Sequence, residues 1–104
     1  MNSLSIKQLL ASACIIFFAL PAVAEDIETK VAVCASCHGA GGNAPIANYP
    51  KLAGQDRKYL LYTLRSYKSG ARKNSIMSIQ VATLTNEDLQ DLATYFSDQP
   101  GDLR

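Results

Sequence analysis

Apolar residues recur at helical spacing in separate stretches of this chain. In residues 26–37, Ile27, Val31 and Cys34 stand at i, i+4 and i+7, which gives a helix one apolar stripe. Residues 39–55, rich in Gly, Asn and Pro, break the period and read as a loop. A second helix is predicted from Arg57 to Ser69, with Asp56 as its cap, Leu60, Leu64 and Tyr67 on one stripe and Leu61 beside it. Gly70 stands where a left-handed C-terminal cap belongs. The stretch ARKNSIMSIQ, residues 71–80, reads as a polar loop around Met77. Thr85 then offers an N-cap, and Glu87 and Asp88 suit the positive end of a helix dipole. Leu84 is placed to pack on Leu89 as a hydrophobic staple. Leu89, Leu92, Ala93 and Phe96 form the apolar stripe of this last helix, which Pro100 and Gly101 stop. No period-2 strand of useful length and no internal repeat interrupts the pattern.

The first residues obey a different rule. Leu9 to Leu20 is almost wholly apolar behind a weakly basic start, Pro21 breaks the run, and Ala22-Val23-Ala24 supplies small residues before Glu25. This is the pattern of a secretory signal peptide over residues 1–24, leaving residues 25–104 as one mature domain. A membrane anchor needs roughly 20 apolar residues, more than this run provides. Lipidation at Cys14 fits poorly, because the run continues through Ile15, Ile16, Phe17 and Phe18. A single basic residue before the run also argues against an Arg-rich organelle transit peptide. The expected location is the bacterial periplasm.

Composition narrows the class further. An apolar fraction of 48%, a charged fraction of 18% and a formal net charge of +1 describe one globular domain, not a nucleic-acid binder or a disordered chain. The charges are segregated, however. Seven basic residues, Lys51, Arg57, Lys58, Arg65, Lys68, Arg72 and Lys73, face one acid, Asp56, in the middle segment, while residues 85–104 hold five acids against Arg104. The basic segment can steer a partner, bind the acidic groups of a cofactor, or simply be a solvated helix face.

The chemistry concentrates in residues 34–39, CASCHG, which contain the only histidine of the chain. Zinc would need four ligands, and the chain offers three adjacent ones with no second Cys pair. A thioredoxin-type dithiol should follow a strand, whereas Cys34 follows a helical pattern. A plain disulfide would close a tiny loop and leave His38 unexplained. Attachment of c-type haem accounts for all three residues. Two thiols two residues apart can each add to a vinyl group, and the next residue then presents an imidazole to the iron. Export agrees, because this haem is attached outside the cytoplasm.

Iron held by one imidazole has an open sixth position, and Met77 is the only thioether of the mature chain able to fill it. A core methionine is the plainer alternative. A domain this small has a marginal core, so a covalent cofactor would act as a staple and the apoprotein should be largely unfolded.

These residues, together with Tyr49-Pro50-Lys51-Leu52-Ala53-Gly54-Gln55, Tyr59-Leu60, Tyr67-Lys68-x-Gly70-x-Arg72, Leu84-Thr85 and Asp91-Leu92-Ala93-x-Tyr95-Phe96, closely resemble the small class I cytochromes c. The chain is most similar to the cytochrome c-553 type and to one half of the diheme cytochromes c-4. The resemblance spans residues 26–97 and implies an all-α fold, three main helices wrapped around one covalently attached haem. It implies thioether attachment at Cys34 and Cys37, His38 and Met77 as the iron ligands, and Pro50 as the residue whose carbonyl accepts the histidine Nδ1 proton. Ile76 departs from the pattern, since many relatives carry Pro before the ligand methionine. The implied function is one-electron transfer without catalysis, by a monomer meeting redox partner proteins that include a membrane respiratory complex. A subunit of a larger dehydrogenase or oxidase, or a haem-based sensor, are the alternatives.

Overall fold

The computed structural model describes residues 26–101. The expected cleavage after Ala24 and the thiol of Cys14 lie outside the described residues. Among those described, the chain forms helices α1 (Ile27–His38), α2 (Arg57–Ser69), α3 (Ser75–Val81) and α4 (Asn86–Ser97), with a 3₁₀ turn at Ala40–Gly42 after α1. The fold is all-α.

Helices α1, α2 and α4 form the scaffold. Val31, Leu60, Leu92, Ala93 and Phe96 make one buried cluster, against which Ile27, Cys34, Leu52, Leu61, Leu64 and Leu84 pack. The stripe Ile27–Val31–Cys34 of α1 therefore faces the core, and His38, one further turn on, extends it and is buried. In α4 the stripe Leu89–Leu92–Ala93–Phe96 is buried throughout. Each such side chain taken from water stabilises the fold by about 1.5–3 kcal/mol.

The buried line of α2 differs from the apolar stripe read from its sequence. Leu60 is buried, but the next buried positions are Thr63 and Ser66. Their hydroxyls donate back to the Leu60 and Tyr62 carbonyls at 2.8 Å, so each is satisfied within its own helix. Leu64 and Tyr67 instead line the cavity described below.

Polar groups on α2 fasten it to α4. Arg57 Nε donates to Thr94 Oγ1 at 2.7 Å, Arg65 donates to Asn86 Oδ1 at 2.9–3.1 Å, and Lys68 Nζ donates to the Leu84 carbonyl. Across the other seam, Lys30 of α1 pairs with Asp88 of α4 at 2.5 Å. Asp88 also completes a capping box. Its Oδ2 accepts from Thr85 N at 2.9 Å, and Thr85 Oγ1 accepts from Asp88 N at 3.1 Å. Lys30 and the Thr85 backbone hold the Asp88 carboxyl below its ordinary pKa.

Helix ends follow local chemistry. Asp56 Oδ1 accepts from Tyr59 N at 3.0 Å, and Gly70 takes the left-handed conformation with φ 83° and ψ 3°. Residues 71–80 are not a continuous loop, contrary to the pattern read from their polarity, because α3 occupies Ser75–Val81. Asn74 supplies the cap, and no Gly or Pro stands among the seven residues that follow.

Candidate functional site: a cavity between the scaffold and α3

A cavity of about 540 Å³ lies where α1, α2, α3 and the loop before α2 meet. Cys34, Cys37, His38, Pro50 and Met77 all line it, together with apolar groups such as Leu52, Leu64, Val81 and Phe96. One site therefore collects every residue singled out from the sequence.

Helix α1 delivers the first three. Cys34 is half-buried at the end of the apolar stripe, Cys37 is exposed on the adjoining face, and neither forms a disulfide. His38 closes the last turn and is 8% exposed. Burial pushes the Cys34 thiol above its ordinary pKa, against the opposite pull of a backbone hydrogen bond.

The His38 ring is oriented from behind. Nδ1 lies 2.7 Å from the Pro50 carbonyl oxygen. A carbonyl can only accept, so the proton sits on Nδ1 and Nε2 keeps its lone pair for a metal. Tyr49 adds an edge contact with ring centroids 6.5 Å apart.

Gly42 brings Pro50 to this position. Its carbonyl accepts from Leu52 N at 2.8 Å and Ala53 N at 3.1 Å, tying the segment after Pro50 to the turn after His38. Gly42 has φ 80°, and a Cβ there would lie 2.9 Å from Ala53 N, Leu52 Cβ and Phe96 Cδ1. Only glycine fits so close a backbone approach.

Met77 reaches the cavity from α3, as the third residue of that helix, and is half-buried. On the same rim the Arg72 guanidinium lies 5.1 Å from the centroid of the Tyr67 ring. Sequence reasoning missed the capped helix around Met77. Its signal was an Asn before an uninterrupted run of residues able to form a helix.

The cavity has the volume and mostly apolar lining of a cofactor pocket, roughly 300–1,000 Å³. It has two thiols on one wall and an imidazole with a free lone pair between them and Pro50. These groups fit a haem attached at Cys34 and Cys37.

Comparison with known proteins agrees. Residues 23–96 match the family described as cytochrome c oxidase, cbb3-type, subunit III. Cytochrome c4 of Stutzerimonas stutzeri is 45% identical over an alignment of 87 positions that covers 75% of this chain and 41% of that protein. Cytochrome c-554(548) of Halomonas halodenitrificans is 36% identical over 75 residues, 69% of this chain and 90% of that protein. The crystal structure of reduced recombinant cytochrome c4 from Pseudomonas stutzeri superposes with a TM-score of 0.67 at 43% identity, covering 76% of this chain and 48% of that one. The chain thus spans less than half the length of these cytochrome c4 relatives. It belongs to this family of c-type cytochromes, with the class I cytochrome c fold and haem c bound covalently through Cys34 and Cys37.

Proposed function

We propose that the chain is a periplasmic one-electron carrier whose haem iron is ligated by His38 and Met77. The observation that carries this reading is the convergence of Cys34, Cys37, His38 and Met77 on one cavity, with His38 Nδ1 already engaged by Pro50. When bound, the group supplies exchange of a single electron between ferric and ferrous iron. The chain's residues set the conditions for that exchange. His38 presents Nε2, and its hydrogen bond to Pro50 holds the ring and strengthens its donation. The Met77 thioether favours the ferrous state and raises the potential. Apolar lining from α2 and α4 keeps water from the metal and disfavours the added charge of the ferric state. With both axial positions filled by protein, no position is left for a substrate, so the domain carries electrons and catalyses no reaction. Export after Ala24 accounts for the leading apolar run.

The basic residues of the middle segment keep their charge in the fold, because those that reach toward the last helix bond neutral oxygens. Arg57, Arg65 and Lys68 are engaged in the seam between α2 and the segment 84–94. Together with the exposed Lys58 and Lys73 they offer electrostatic attraction for an acidic redox partner.

Absorption spectra of the mature protein, oxidised and reduced, with and without carbon monoxide, test the reading. A low-spin c-type spectrum, a thioether-to-iron band in the oxidised form and indifference to carbon monoxide are expected. Carbon monoxide binding would overturn Met77 ligation and favour a sensor. A second reading, an electron-transfer subunit of a larger oxidase or dehydrogenase, draws on the family description and the short span relative to cytochrome c4. Stable copurification with a larger enzyme would favour it over a free monomeric carrier.

A further inference from the structure

The segment that brings Met77 to the cavity has little packing to hold it. Helix α3 is seven residues long, well below the length at which a helix persists on its own. Val81 is its one residue buried against protein, while Ile76, Met77 and Ile79 line the cavity. Met77 lies in the first turn, where backbone N–H groups have no partner within the helix.

Asn74 provides those partners. Its backbone is extended, with φ −152° and ψ 116°, and its Oδ1 accepts from both Ile76 N and Met77 N at 3.0 Å. Its carbonyl accepts from Ser78 N at 2.9 Å. One residue thus engages the N–H groups of the three residues centred on Met77, and Asn74 itself lines the cavity beside Met77. Ile76 makes the double acceptor necessary, because its N–H must be satisfied whereas an imino acid would have none.

We propose that Asn74 is a positioning residue for Met77, holding the first turn of α3 closed so that the thioether stays against the cavity. The proposal rests on the reading of Met77 as an axial ligand. Opening of this turn withdraws Met77, and an external ligand can bind only to the open form. Its apparent affinity therefore scales with the open fraction, which the Asn74 cap keeps small.

Imidazole titration of the purified ferric holoprotein, followed through the thioether-to-iron band, tests this. N74A is expected to raise imidazole affinity roughly fivefold to tenfold, the ratio that corresponds to loss of one N-cap. N74S, which restores an acceptor, should return it to within about twofold of wild type. T85A removes the equivalent cap from α4, lowering the melting temperature while leaving imidazole affinity within about twofold. Should N74A fail to mature, N74V is read in its place, since valine suits the extended backbone of residue 74 but has no acceptor. An affinity unchanged in N74A, or raised as much in T85A, overturns the proposal and leaves Met77 ligation intact. A wild-type protein without the thioether band overturns the ligation reading, and the proposal with it.

Discussion

Helices α3 and α4 are consecutive, each begins on a capped turn, and they are held in place by different forces. In α4, Leu89, Leu92, Ala93 and Phe96 are at most 3% exposed, and Arg57, Arg65 and Lys30 reach across to it from both neighbours. In α3 the apolar residues Ile76, Met77 and Ile79 line the cavity rather than pack on protein, and Asn74 caps its first turn. The cap on α4 adds to a stability that packing already provides, whereas the cap on α3 substitutes for packing. A small haem domain can in this way keep a wall carrying the thioether bonds and the imidazole, and oppose to it a lighter strap carrying Met77, the second ligand of the proposed function.

The largest effect should come from removing what the two regions share. In C34A/C37A no thioether bond can form, and the cavity between wall and strap loses the surface it encloses. We expect the far-UV circular dichroism of this variant to show a largely unfolded chain, because a core this small does not stand alone. Retention of α1, α2 and α4 at native helicity would mean that the scaffold is self-sufficient.

Truncations within each region should then separate them. F96A removes a buried aromatic from the wall and should cost about 3–5 kcal/mol in denaturant unfolding. I79A on α3, at the exposed edge of the cavity, should cost less, about 1 kcal/mol. Comparable losses at the two sites would erase the distinction. G42A is intermediate, about 2–4 kcal/mol, from the strain of a left-handed alanine and the clash with Ala53 N. It should also displace the Pro50 carbonyl from His38, read as an altered histidine resonance in the holoprotein.

The smallest effect is the acid response of the α1–α4 seam. The folded pKa of Asp88 lies below its unfolded value, near 3.9. Its contribution is therefore fully present above that value and is lost as pH falls through the folded pKa, where the unfolded chain binds the proton first. Urea midpoints measured from about pH 6 to pH 3 should fall more steeply for wild type than for D88N. D88N itself should cost about 0.5 kcal/mol near neutrality, since Asn keeps an acceptor for Thr85 N and loses only the Lys30 pair. Parallel curves would show that Lys30 and Thr85 do not hold the carboxylate.

Much of this was legible in the linear pattern. The stripes of α1 and α4, the Asp56, Gly70 and Thr85 caps, and the grouping of Cys34, Cys37 and His38 depend on residues within one or two turns of each other, and short-range chemistry is written in order along the chain. The α2 stripe was read less well. Apolarity pointed to Leu64 and Tyr67, yet the buried positions after Leu60 are Thr63 and Ser66, since small hydroxyl residues that bond within their own helix can be buried at little cost.

The sequence by itself determined the helices of the scaffold, their ends and the attachment motif, because each is a matter of local period, capping and reactive spacing. Tertiary structure alone decided that the Gly42 carbonyl would anchor the segment carrying Pro50, that Asp88 would join Lys30 across α1 and α4, and that Met77 would reach the cavity from a capped helix. Those outcomes depend on which surfaces meet after the chain has closed on itself, and on polar groups finding partners that lie far away in sequence.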